Sequence, residues 1–239
     1  MTDVILNLVA AGIGFVIAQI VNWARATFRR RNRRWFWEYG SYKKITVLVG
    51  SLKGHSSGGE IEPSMNIVDG ISLGELRTFL AQHFGEVLVA TEEGAIDWSS
   101  PVVSLGGPLA NAMTERLGAS ARFPLWFSGL PYSSASTRKI DGNGMSFTSL
   151  LDAGNHLKQD VGFVAKISSE KSKAVPIFVL ASNYGAGNHG VVRLITSDDG
   201  LAMLKQQAGR RTHFQAVIQS AISGNVSVSS QVVATLEAT

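Results

Sequence analysis

Apolar and polar residues follow two regimes along this chain. From Val4 to Trp23 it reads VILNLVAAGIGFVIAQIVNW, about twenty residues without a formal charge. As a helix rising 1.5 Å per residue, this run covers a hydrocarbon core of roughly 30 Å. A cleaved signal peptide carries its positive charge ahead of the apolar run; here Asp3 precedes it, and Arg25, Arg29, Arg30, Arg31, Arg33 and Arg34 follow. The pattern therefore predicts a single membrane anchor. The basic flank predicts an N-terminus outside and the remaining chain in the cytoplasm, which for a bacterial protein means the inner membrane. Trp23, Trp35, Phe36, Trp37 and Tyr39 are expected at the inner interface, with the arginines on anionic head groups. Within the run, Asn7, Ala11, Gly14, Ala18 and Asn22 step by three or four along one helical face. Such a small, polar stripe predicts self-association in the membrane, and in its stronger form a pore lined by an oligomer. A lone anchor that tolerates these residues is the alternative.

After the arginines, short apolar runs alternate with glycine. Lys44 to Val49 has the pattern of a buried strand, and Glu86 to Ala90, Pro101 to Leu105, Val161 to Ile167 and Val175 to Ala181 read as further strands. Ser72 and Glu75 have capping-box spacing ahead of Leu73, Leu76, Leu80 and Phe84, which predicts an amphipathic helix. Pro108 fits the first position of a helix carrying Leu109, Met113 and Leu117. Ser197, with Asp198 and Asp199, begins another helix through Leu204. The stretch from Ser120 to Gln159 reads as an insertion, with a tight hairpin turn at Asp141 to Gly144. Phe214 to Ile222 and Val226 to Leu236 form an antiparallel pair around Ser223-Gly224-Asn225. Strands alternating with helices predict an α/β fold, a Rossmann-like, mostly parallel sheet with this hairpin at its edge. The domain boundaries are a transmembrane helix over 1–24, a basic and aromatic connector over 25–42, and the α/β domain over 43–239.

Composition narrows the chemistry. With 45% hydrophobic and 17% charged residues, the chain buries a substantial core. Without cysteine it has neither disulfides nor thiolate metal sites. Its net charge of +4 includes the six clustered arginines, so the rest carries −2. That excludes a large basic groove for long nucleic acid and leaves room for a short oligonucleotide. Three strand ends carry glycine turns: Gly50-Ser51, Gly106-Gly107, and Gly185 to Gly190. In an open parallel sheet such turns converge on one crevice, where glycines admit a close backbone approach and helix-start N–H groups hold phosphate. Gly185-x-Gly187-x-x-Gly190 matches the dinucleotide pattern after a strand, but no Walker lysine follows, and tight turns of any α/β domain remain the alternative. The candidate ligand-binding residues are Gly50, Ser51, Gly106, Gly107, Asn111, Asn183, Gly185, Gly187, Asn188 and His189. The asparagines are suited to a base edge or ribose. No cofactor is implied. His55, His83, His156, His189 and His213 have no metal spacing, and no catalytic residue is assigned. Glu92, Glu93 and Asp97 are the plausible carboxylates if the domain is instead a membrane-anchored enzyme that cleaves N-glycosidic bonds.

The N-terminal span and basic exit are followed by Gly-Gly-Pro-x-x-Asn ending at Asn111 and Asn-Tyr-Gly-x-Gly ending at Gly187. This combination resembles the membrane effectors of bacterial nucleotide-signalling antiphage systems. Within these it is similar to the SLOG-related sensor domains called STALD, as in the effector of the Hailong-type system. The resemblance extends over most of the chain through short motifs. It implies a homo-oligomer in lipid whose domain binds a nucleotide-derived ligand, in the Hailong case a single-stranded DNA oligomer made by a nucleotidyltransferase partner. It also implies control of an ion-conducting assembly that depolarises the membrane.

Overall fold

The structure is a computed structural model that describes residues 2–50, 67–120, 122–128, 138–169, 171–172 and 174–238, with side chains from Gly12 onward. Ser51 and His55 lie outside the described residues, as do the side chains of Asn7 and Ala11.

The N-terminal run and the expected connector form one uninterrupted helix, α1 (Thr2–Trp37). No glycine or proline interrupts residues 15–37, so nothing local breaks the hydrogen-bond ladder. The central sheet has a parallel half of β1 (Lys44–Val49), β2 (Glu86–Ala90), β3 (Val102–Leu105) and β9 (Pro176–Ser182). The other half runs antiparallel: β8 (Leu157–Ser168), β10 (Phe214–Ser223), β11 (Val226–Glu237), and short β7 (Leu150–Leu151) beside β8. Across the sheet the strand order is β11-β10-β8-β9-β3-β1-β2. A second antiparallel sheet joins β4 (Trp126–Ser128), β5 (Lys139–Gly142) and β6 (Met145–Thr148). The fold is thus mixed α/β, with the expected C-terminal hairpin at the edge. The expected turn also forms: Asn143 and Gly144 take φ of 49° and 74°, the left-handed pair that a two-residue hairpin loop demands.

Strand alternation divides the core. Ile45, Val47 and Val49 face α1's end, α2 (Ile67–Ala81), α4 (Gly185–Thr196) and α5 (Asp198–Ala208). Leu48, with Val161, Phe163 and Ala165, faces α3 (Ala112–Ala119) and the small sheet. Two expected helix starts move. α2 begins before Ser72, whose hydroxyl donates back to the Val68 carbonyl; no capping box forms because Ile67, Val68 and Ile71 extend the helix toward its N-terminus. α3 begins after Asn111 rather than at Pro108, since Asn111 is the stronger cap. At α5 the expected cap holds, with the Ser197 hydroxyl accepting from Gly200 N–H at 3.1 Å.

The aromatic cluster at the end of α1 is core rather than membrane interface. Phe36 and Trp37 are fully buried against Phe178 and Phe79, Trp35 stacks on Phe214, and the Trp37 indole donates to the Ile195 carbonyl. Arg29 and Arg33 turn to Asp198 at 3.3 and 2.7 Å, and the Lys166 ammonium reaches Glu38 at 2.7 Å and the Trp35 carbonyl at 3.0 Å. These residues face inward because burying large aromatic surface outweighs an interfacial position by several kcal/mol.

Candidate functional site

Strands β1, β3 and β9 run parallel, and at their carboxyl ends Gly50 lies against Ala110 and Gly107 against Ser182. Around β1 and β3 this place is filled by protein. Gly50 packs directly on the Ala110 carbonyl, where a Cβ has no room. The Asn111 side chain accepts from Met113 and Thr114 N–H at 3.1 and 3.2 Å and donates to the Leu48 and Leu105 carbonyls at 3.2 and 3.0 Å. It thereby caps α3 and ties together the ends of two strands. Both amide hydrogens and both acceptor positions are used. A base edge finds nothing left to read. Gly106 occupies a φ of +117°, open to glycine, and Gly107 lies so close to the Ser182 carbonyl that a Cβ would stand 3.0 Å from it.

The start of α4 is filled as well. The Asp160 carboxylate, fully buried on β8, accepts from Ser149 Oγ at 2.7 Å, Val161 N–H at 2.8 Å, Tyr184 N–H at 3.1 Å and Gly187 N–H at 2.8 Å. An internal carboxyl group occupies helix-start donors that a phosphate would use. Burial lifts the Asp160 carboxyl from an ordinary 3.8 to about 7, against the lowering effect of these four donors. Asn183 belongs to the same network: its side-chain amide donates to Ser149 Oγ at 3.0 Å, and its carbonyl accepts from Arg138 at 3.0 Å. Arg138 also lies over the Tyr184 ring at 4.2 Å. Asp160 carried no mark in the sequence except a charge directly ahead of the apolar run from Val161, a position that also fits a strand end.

The glycines of the 185–190 motif lie inside α4 and not in a loop before it. Gly187 and Gly190 let the helix settle onto the sheet, because a Cβ would run into Asp160 at the first and Ser220 at the second. Asn188 is buried, accepting from Ser182 Oγ at 2.9 Å and donating to Asp69 at 2.9 Å. Burial raises the Asp69 carboxyl, with the Asn188 bond opposing. His189 is buried between α2 and β11, its Nδ1 accepting from Ser227 N–H at 3.1 Å and its Nε2 3.2 Å from Glu75. The Nδ1 contact places the ring proton on Nε2.

The open space adjoins this network. A cleft of about 970 Å³ is bounded by the start of α2, the approach to β8, the first turn of α4 and the β10–β11 turn. Ile67, Ile71, Leu157 and Val226 supply its apolar side, and Asn155, His156, Lys158 and Tyr184 its polar side. Gly185 and Ala186, the first two residues of α4, line it, and their N–H groups have no hydrogen-bond partner among the described residues. Lys158 and His156 share Asp152, each at 3.2 Å, and the bond from His156 N–H, followed by Lys158, holds the Asp152 carboxyl down at about 2. Of the expected ligand residues that the structure describes, only Gly185 lines the cleft. Glu92, Glu93 and Asp97 lie away from it on the exposed turn after β2, Glu93 paired with Arg116 and Asp97 with Lys44 and Ser99. Among the described residues no group of three acidic, histidine or cysteine side chains is placed to hold a metal ion. Compared with known proteins, the chain matches no family model and no curated protein.

Proposed function

We propose that this protein is a membrane-anchored sensor-effector. In this reading α1 enters the bilayer, the α/β domain lies on the cytoplasmic side, and a nucleotide-derived ligand in the cleft at the head of α4 biases an oligomeric, ion-conducting assembly. The observation that carries the reading is the contrast along α1: residues 12–31 are exposed on every side, including Ile13, Phe15, Val16, Ile17, Ile20 and Trp23, whereas Phe36 and Trp37 are fully buried in the domain. Left in water, each large apolar side chain forgoes about 1.5–3 kcal/mol of burial, a cost that lipid removes. Among the described residues no helix is long and apolar enough to cross a membrane. The apolar run begins at Val4, and eight of its residues, 4–11, precede those whose side chains are described. From Val4 to Trp23 the helix is long enough, at about 30 Å.

Two further features support a sensor. Because α1 is one helix from the apolar run into the core, displacement of the domain moves the span directly. The cleft, within the usual ligand-site range of about 300–1,000 Å³, offers Lys158, His156 and two unpartnered helix-start N–H groups to an anion beside an apolar wall suited to a base. The resemblance to antiphage membrane effectors agrees with this arrangement, and a short single-stranded DNA oligomer is the ligand it favours. The test is to express the full chain in a bacterium, extract membranes with carbonate, and identify co-purified nucleotides by mass spectrometry. Wild type should stay in the membrane and carry a nucleotide-derived ligand that Lys158→Glu loses. Recovery in the soluble fraction would refute the anchor, and equal ligand in both proteins would refute the cleft.

A further inference from the structure

The donors at the head of α4 divide into two pairs. Asp160, reaching across from β8, takes the N–H groups of Tyr184 and Gly187 at 3.1 and 2.8 Å, both on its Oδ2 atom. Between them in the chain, the N–H groups of Gly185 and Ala186 have no hydrogen-bond partner among the described residues, and both residues line the cleft. The positive end of a helix, about half an elementary charge, is spread over these few donors, so a ligand anion and Asp160 draw on the same turn. Asp160 is fully buried and makes no ion pair among the described residues; Ser149 Oγ and Val161 N–H complete its partners at 2.7 and 2.8 Å, on Oδ1. The charged and titratable groups on the elements around it are engaged with other partners. Arg138 lies over the Tyr184 ring and donates to the Asn183 carbonyl, Asp69 of α2 accepts from Asn188, His189 of α4 meets Glu75, and Lys158 and His156, at the head of β8, meet Asp152.

An anion on the N–H groups of Gly185 and Ala186 stands roughly 5 Å, one helical pitch, from the Asp160 carboxyl. At that separation and an effective dielectric of about 20, two unit negative charges weaken binding by about a hundredfold or more. Protonation removes the repulsion and leaves the turn in place: Oδ1 gains the proton and donates to Ser149 Oγ, reversing that bond, while Oδ2 still accepts from Tyr184 and Gly187. We infer that Asp160 gates the cleft by its charge: an anionic ligand binds at the head of α4 only with Asp160 protonated, so ligand and proton are taken up together and an ionised Asp160 holds the cleft empty. The inference rests on the cleft reading above and adds the regulation of that site. Burial holds the Asp160 carboxyl near about 7, which sets the change between about pH 6 and 8. By linkage, the bound ligand in turn favours the protonated carboxyl by the same factor.

The test is calorimetric titration of full-length protein in detergent with a trideoxythymidylate lacking terminal phosphates, whose diesters keep their charge across this range. Wild-type affinity should weaken about tenfold from pH 6 to 8, and at pH 8 the heats in two buffers of different ionisation enthalpy should report about one proton taken up per ligand. Asp160→Asn, neutral at every pH, should bind with an affinity that changes less than about twofold over the same range and take up no proton. Ser149→Ala removes a donor that favours the ionised carboxyl, so its decline should begin at higher pH than in wild type; this variant carries the test if the asparagine protein does not fold. His156 also lines the cleft, and an imidazole also gains charge on acidification, so His156→Gln is the control and should keep the tenfold decline. A decline that persists in Asp160→Asn and disappears in His156→Gln, or wild-type binding at pH 8 without proton uptake, overturns the gate and leaves the cleft standing. No binding by wild type at pH 6, where Asp160 is largely neutral, overturns the cleft and the gate together.

Discussion

Replacing Asp160 by asparagine should change how stability depends on pH. In the folded protein its carboxyl titrates near 7, whereas the ordinary value is 3.8. The native state therefore holds a proton that the unfolded chain has released between those two values, so this group's contribution falls as pH rises through the window and is fully present only below it. At about 1.4 kcal/mol per pH unit, the loss from pH 5 to 8 is about 3 kcal/mol. The asparagine side chain cannot ionise. Its oxygen can keep Tyr184 and Gly187 N–H, but its nitrogen then faces Val161 N–H, a mismatch of about 1–3 kcal/mol that is independent of pH. Wild type should be the more stable protein near pH 4, and the order should reverse by pH 8. Both proteins contain Asp69, so its raised carboxyl cancels in the comparison. The assay is thermal melting of full-length protein in detergent, followed by the fluorescence of buried tryptophans such as Trp37. For a chain of this size the melting difference should move by about 6–12 °C between pH 5 and 8. A difference constant to within about 2 °C across that range would mean that the carboxylate is ionised throughout, and the account of Asp160 would be wrong.

Asn111→Ala removes a helix cap and two strand-end bonds and should cost about 2–3 kcal/mol in denaturant unfolding; Asn111→Asp keeps the cap but turns an oxygen on the Leu48 and Leu105 carbonyls, and should not recover that loss. Gly190→Ala should destabilise by about 1–3 kcal/mol, since overpacking against Ser220 exceeds the gain of about 1 kcal/mol that alanine brings to a helix interior; a stabilised variant by the same measurement would refute the close packing. Asp198→Ala, which frees Arg29 and Arg33 and removes an acid from the first turn of α5, should cost about 1–2 kcal/mol and make the segment from Arg29 to Arg34 exchange amide hydrogens faster.

Much of the architecture was legible in the chain because it depends on local period and turn chemistry. The apolar runs at 44–49 and 176–182 read as buried strands and that at 86–90 as a strand, Asn143-Gly144 specified its hairpin, and Ser197 capped the helix it preceded. The candidate site was legible only as a region: Gly50 and Gly107 pack at the carboxyl ends of the parallel strands, and Gly185 lines the cleft. What fills that region was decided by contacts between residues distant in sequence. Asn111 bonds Leu48 across 63 positions, and Asp160 reaches Gly187 across 27, so no local pattern marks either as a plug rather than a ligand group. The glycines at 187 and 190 give the same sequence signature whether a phosphate or a neighbouring strand approaches them. Trp35, Phe36 and Trp37 likewise read as an interface belt, because amphipathic aromatics suit both lipid and core. Only the position of α1's last turn over Phe178 and Phe214 determines that they are buried, through apolar area that no sequence window contains.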